Sequence, residues 1–149
     1  MRAFRYDQHI ERPQEEVFAY MMDFRTASRW RNMVRSIEVV GGGPVREGSK
    51  LLMMMDVMGE TRRGESEVWR YEPPHRVGQR NTRSGVTGVF EYILEPDTVG
   101  TRVTFTCDIR PHGMMWLALP WVLRSNRKRF RDQLAMLKRA IEGRDSSGE

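Results

Sequence analysis

Residues 114–143 read Met-Met-Trp-Leu-Ala-Leu-Pro-Trp-Val-Leu-Arg-Ser-Asn-Arg-Lys-Arg-Phe-Arg-Asp-Gln-Leu-Ala-Met-Leu-Lys-Arg-Ala-Ile-Glu-Gly. Trp116, Leu119, Leu123, Phe130, Leu134, Leu137 and Ile141 recur at steps of three, four and seven. At 3.6 residues per turn they form one stripe, with Ser125, Lys128, Asp132 and Arg139 on the opposite face. The stretch predicts one long amphipathic helix. Lys138 and Arg139 suit its negative end, and Gly143 offers a left-handed stop. Pro120 interrupts the pattern, because proline lacks a backbone donor and clashes with the carbonyl four residues back. Either the helix kinks there or a short helix at 114–119 precedes the main one. Burying the stripe is worth on the order of 10–20 kcal/mol gross, so the helix requires a partner surface.

The preceding residues supply a sheet. Phe4, Tyr6, Gln8 and Ile10 alternate with polar neighbours, which predicts a first strand. Pro13, Glu15 and Glu16 open a helix whose apolar side carries Val17, Phe18 and Met21. A second short helix over 23–31 carries Trp30 inward. Strands follow at 34–40, 49–58, 60–72, 75–83, 86–95 and 101–110, separated by short Gly- and Pro-rich turns. Short connections between successive strands make an antiparallel meander, and there is no strand–helix–strand alternation. The fold class is therefore α+β: about seven curved antiparallel strands, two short helices after the first, and a long C-terminal helix. A single domain is expected over 1–143, with a disordered tail over 144–149.

Composition removes several function classes. The chain has 149 residues, enough for one domain with a real core. No apolar run is long enough to span a bilayer, and the N-terminus lacks the apolar centre of a secretion signal. Cys107 is the only cysteine, so no internal disulfide forms and a cytoplasmic location is expected. The net charge of +5 comes from 25 Lys and Arg mixed with 20 acidic residues along the whole chain, which argues against nucleic acid as the partner. His9, His75 and His112 are scattered, so no metal site is expected. No Gly-rich phosphate loop and no Gly-x-Ser-x-Gly elbow is present, and no cofactor is expected.

The expected interior is apolar with a few polar groups. Alternation places Leu51, Met53, Met55, Val57, Trp69, Tyr71, Phe90, Tyr92, Val103 and Phe105 on the concave face of the sheet. Trp116, Leu119 and Leu123 face them from the helix. Leu52, Met54 and Met58 fall on the outer face, a patch that either forms an oligomer contact, as in a homodimer, or lies against a loop. Arg127 sits about 50° from the centre of the helical stripe, and Asn126 lies as far off on the other side. Gln79, Asn81 and Arg83 share parity with Val77, and Glu67 with Trp69. An apolar pocket with a few convergent polar groups is how small-molecule sites are built. Arg127 then either holds a carboxylate or phenolate, or snorkels outward or pairs with Glu67. The composition fits a filled core as well as it fits a cavity.

Several stretches together carry a resemblance. They are Arg-Pro-Gln-Glu-Glu-Val-Phe (12–18), Trp30, Gly48, Val-Trp-Arg-Tyr-Glu-Pro-Pro (68–74), Glu-Pro-Asp…Gly-Thr-Arg-Val-Thr-Phe (95–105) and Leu-Lys-Arg-Ala-Ile-Glu (137–142). With the order of elements, they resemble the SRPBCC or START-like superfamily, in its polyketide cyclase/dehydrase branch, over residues 3–142. The resemblance implies a helix-grip fold with a cavity between sheet and helix. Its members include lipid carriers, hormone receptors, aromatase/cyclases and ligand domains of oxygenases. The matching positions are turns, core and grip helix, so no catalytic residue carries over.

The expected function is binding of a hydrophobic or amphipathic small molecule (lipid, polyketide or aromatic) by Met53, Met55, Trp69, Tyr71, Asn81, Phe90, Tyr92, Phe105, Trp116, Leu119, Leu123 and Arg127. The first alternative is a metal-free cyclase or dehydratase acting in the same cavity, with Tyr92, Glu67 or Arg127 as its acid or base. The second is a basic docking protein that uses the arginine-rich helix face on a ribosome or membrane.

Overall fold

The computed structural model describes residues 2–31, 33–83 and 85–146. The elements run β1 (Arg2–Ile10), α1 (Gln14–Met22), a 3-10 turn (Phe24–Thr26), α2 (Ala27–Trp30), β2 (Val34–Val39), β3 (Lys50–Val57), β4 (Glu60–Glu72), β5 (Arg76–Arg83), β6 (Val86–Asp97), β7 (Gly100–Pro111), a second 3-10 turn (Gly113–Ala118) and α3 (Leu119–Ser146). The strands form one sheet in the order β1-β7-β6-β5-β4-β3-β2, and every neighbouring pair is antiparallel. An open sheet with one apolar face must cover it. Here α3 does so, packing against β1, β7 and α2. This is the expected α+β helix-grip fold.

Proline decides where α3 begins. Pro120 falls in its first turn, where the missing N–H would have had no helical partner. Residues 113–118 wind separately as a 3-10 turn, so the short-helix alternative holds and a single helix from Met114 does not. At the other end α3 passes through Gly143 and continues to Ser146, beyond the expected stop. A glycine inside a helix costs about 1 kcal/mol relative to alanine, which neighbouring turns absorb. Residues 147–149, and the side chains of Val57 and Arg83, lie outside the described residues. Glu142 ties the last turns to the start of the chain. Its carboxylate accepts from the Glu11 backbone N–H at 3.0 Å and from Lys138 Nζ at 2.8 Å, while Lys138 also donates to the His9 carbonyl at 2.9 Å.

The core centres on Phe130 of α3. Its ring lies 5.4 Å from Phe4, 5.7 Å from Phe90 and 5.4 Å from Phe105. Leu134, Leu137 and Ile141 follow it into full burial. From α1, the buried Gln14 side chain donates to the carbonyls of Leu94 (2.9 Å) and Pro74 (3.2 Å), which holds that helix to the end of the sheet.

Strand β4 departs from simple alternation. The β4–β5 register slips between Val68 and Arg70, a β-bulge that turns one extra residue outward. Ser66 and Val68 therefore face the core, and so does Tyr71, whose ring lies 5.8 Å from Phe18. Trp69 lands on the outer face. Its indole covers Gly78, where an added Cβ would come within 2.5 Å of the ring, and its Nε1 donates to the Phe90 carbonyl at 3.3 Å. Glu67 is also outside, 2.8 Å from Arg80. The inward placement expected for Trp69 and Glu67 is corrected by the bulge and by the true phase of β4.

Candidate ligand-binding site

Between the concave face and α3 lies a hollow of about 70 Å³. Met53 and Met55 of β3, Phe90 of β6, Phe105 of β7, Val34 of β2 and Phe130 of α3 form its apolar wall. Polar groups come from five elements: Arg31 at the end of α2, Ser66 of β4, Gln79 and Asn81 of β5, Tyr92 of β6, and Arg129 and Gln133 of α3. Alternation explains the β5 and β6 contributions. Gln79 and Asn81 share the inward face with Val77, opposite Phe90 and Gly88 in the register.

Arg31 follows from how α2 ends. Its backbone turns extended (φ −90°, ψ 115°) just after Trp30, while its N–H still bonds the Ala27 carbonyl at 2.9 Å. Successive residues thus both enter the core, and Arg31 is only 5% exposed. Its Nη1 donates to Gln79 Oε1 at 3.1 Å, and the guanidinium lies 4.6 Å from the centre of the Trp30 ring. Burial pushes its pKa below the ordinary arginine value, opposed by the nearby Tyr92. It still keeps its charge at neutral pH.

Tyr92 is buried, with its ring edge-on to Trp30 at 5.8 Å and its hydroxyl oxygen accepting from Gln133 Nε2. Burial above all pushes the tyrosine pKa up, against the opposing pull of Arg31, Arg129 and Gln133. Tyr92 therefore holds its proton at neutral pH. The Arg129 guanidinium reaches the same hollow, donating to Asn126 Oδ1 at 3.2 Å and lying 5.0 Å from the Phe130 ring.

Six of the expected site residues meet here: Met53, Met55, Asn81, Phe90, Tyr92 and Phe105. The others do not line the hollow. Trp69 and Glu67 are on the outer face, and Tyr71 packs on α1. Leu119 is buried and Leu123 half-buried, both in the core away from the hollow. Trp116 is 60% exposed on the 3-10 turn. Arg127 is exposed, and what it gives inward is its backbone carbonyl, which accepts from the Tyr6 hydroxyl at 3.4 Å. The arginine that α3 sends inside is Arg129. Including Trp116 in the helical stripe rotates its centre toward Arg127, whereas the buried Gln133 and half-buried Asn126 rotate the real inner face toward Arg129. Arg31 carries no sequence signal of its own, being one of many arginines. The Gln133 signal is its helical spacing from Phe130 and Leu137.

Among the described residues, no group of three or more His, Cys, Asp or Glu is placed to hold a metal ion. No described helix is long and apolar enough to cross a membrane.

Comparison with known proteins agrees with this fold. None of the curated proteins matches the chain. Among solved structures, TTHA0849 from Thermus thermophilus superposes with a TM-score of 0.72 at 20% identity, covering 93% of this chain and 96% of that one. A START superfamily protein from Mycobacterium smegmatis gives 0.70 at 12% identity, with 94% and 97% covered. The di-domain ARO/CYC BexL from the BE-7585A biosynthetic pathway gives 0.78 at 20% identity, covering 93% of this chain and 46% of that one. At these identities the likeness is one of fold. A family model described as polyketide cyclase / dehydrase and lipid transport matches residues 1–142. With its seven-stranded sheet closed over α3 around a partly polar hollow, the chain belongs to the polyketide cyclase/dehydrase and lipid transport family.

Proposed function

We propose that the protein binds a small amphipathic molecule in the hollow between its sheet and α3. The observation that carries this reading is the hollow itself, an apolar wall interrupted by buried, inward-facing polar groups. A filled core would leave two of them, Arg31 Nε and Gln79 Nε2, buried with no acceptor among the described residues, and an unsatisfied buried group costs about 1–3 kcal/mol. At about 10–15 Å³ per water, 70 Å³ holds roughly five waters, well below the roughly 300–1,000 Å³ of drug-sized pockets. The resting hollow therefore takes a small ligand or the head of a larger one. Met53 and Met55, flexible and unbranched, are the part of the wall that gives way to more.

Binding without chemistry is favoured over the cyclase or dehydratase alternative. None of the described residues lining the hollow is Asp, Glu, His or Cys, so among them no carboxylate, imidazole or thiolate base faces the ligand. Tyr92 is its one weak acid. The test is a thermal-shift panel of aromatic and aliphatic amphiphiles, run on the native chain and on Asn81→Phe, which puts a ring where Asn81 lines the hollow. We expect stabilisation of the native chain by at least one compound, and loss of that shift in a variant that still melts cooperatively. An equal shift in both would place the ligand elsewhere.

A surface observation favours a second reading, in which the hollow exchanges its ligand at a membrane. Met114, Trp116, Leu117 and Trp121 are 83%, 60%, 82% and 71% exposed. The exposed Arg124, Arg127 and Lys128 follow directly on α3. Apolar side chains beside cations suit an anionic lipid surface. A homodimer through this face would bring like charges together. Co-sedimentation with phosphatidylserine-containing vesicles should pull down the native chain and not Trp116→Ser/Trp121→Ser. Equal behaviour of both, or no binding by the native chain, would overturn this reading.

A further inference from the structure

The buried polar groups of the hollow share one property that narrows the ligand: those without a partner are donors. Arg31 is 5% exposed, and it forms no ion pair with any described carboxylate. Its Nε is buried with no acceptor among the described residues. A guanidinium is a donor only, so the bond from Arg31 Nη1 fixes the Gln79 amide with its oxygen toward the arginine. That leaves Gln79 Nε2, also buried, with no acceptor among the described residues. The Tyr92 oxygen already accepts from Gln133, which leaves the tyrosine O–H to donate. A second guanidinium, Arg129, lines the same space, and no acidic side chain among the described residues does.

Donors and positive charge gathered in a hollow without a carboxylate call for an anionic acceptor. A buried charge is ordinarily paired, and removing its partner is strongly destabilising. The Trp30 ring face, 4.6 Å from the guanidinium, offsets only part of that cost. A planar carboxylate matches a guanidinium edge with two parallel hydrogen bonds. Resting on the reading of the hollow as a binding site, we infer that the ligand is a carboxylic acid. Its carboxylate bonds Arg31 and Gln79 Nε2, and its apolar body lies against Phe90 and Met53 and extends past Met55. The small volume fits such a head group with a short or aromatic body.

The test is isothermal titration at neutral pH with matched acid and amide pairs: benzoate and benzamide, 2-naphthoate and 2-naphthamide, octanoate and octanamide. Each pair keeps its shape and loses only the charge. In at least one pair the acid should bind ten-fold or more tightly than the amide. Arg31→Met should abolish that preference, and Arg31→Lys should keep part of it. Where Arg31→Met fails to fold, the comparison on the native chain decides alone. Equal binding of acid and amide would overturn the carboxylate while leaving the binding hollow in place. Binding of neither member of any pair would overturn both. A preference unchanged in Arg31→Met would place the anion away from Arg31.

Discussion

Trp30→Ala should lower the stability of the protein by about 3–5 kcal/mol, read as the shift of the urea unfolding midpoint at constant slope. Trp30 is fully buried, and its large ring is shared by two neighbours. Tyr92 meets it edge-on at 5.8 Å, and the Arg31 guanidinium sits over its face at 4.6 Å. Truncation therefore opens a cavity and strips a buried cation of its ring contact at once. Trp30→Phe should lose much less. It keeps an aromatic face for Arg31, and it removes an indole N–H that has no acceptor among the described residues. A Trp30→Ala loss below about 1 kcal/mol would mean that the end of α2 is not seated in the core as described.

Gly100→Ala carries the second large effect, about 3 kcal/mol or more, by a different route. Gly100 opens β7 with φ +115°, a conformation that disfavours any side chain. A Cβ there would also collide with the Ile10 carbonyl oxygen and stand 2.9 Å from the Glu11 Cα. Both obstacles are backbone, so neither swings aside. The chain must instead separate the start of β7 from the end of β1. Gly59→Ala is the natural control. It has a similar left-handed φ of +82° but nothing within 4 Å, so it should cost only about 1–2 kcal/mol. Equal losses at the two positions, measured by thermal or urea unfolding, would refute the close approach of Gly100 to Ile10.

The fold is legible in the chain wherever one period governs a whole element. β7 alternates without interruption, and Val103, Phe105, Cys107 and Ile109 are all buried as alternation requires. The lower part of α3 keeps its 3.6-residue period through Phe130, Leu134, Leu137 and Ile141. Reading fails where the period changes inside an element. The β4 bulge reverses parity between Val68 and Tyr71, so the indole expected to line the cavity covers Gly78 on the outside. Nothing in Val-Trp-Arg-Tyr marks that slip, because both faces of the strand offer an aromatic something to cover. The hollow is legible in its apolar wall and in Gln79, Asn81 and Tyr92, which strand alternation turns inward. The rest of its polar half rests on Arg31, Arg129 and Gln133, residues whose type predicts exposure and whose burial depends on the turn after α2 and the rotation of α3. Tertiary contacts set both, and no short window of sequence contains them.

The central claim is that the hollow is a ligand site. Native mass spectrometry of the purified chain, followed by denaturation and identification of whatever is released, tests it most directly. A bound ligand would give an adduct mass above that of the polypeptide, lost on denaturation, which yields a small amphipathic molecule. A native mass equal to that of the polypeptide, with no thermal shift by any amphiphile in the panel, would contradict the claim.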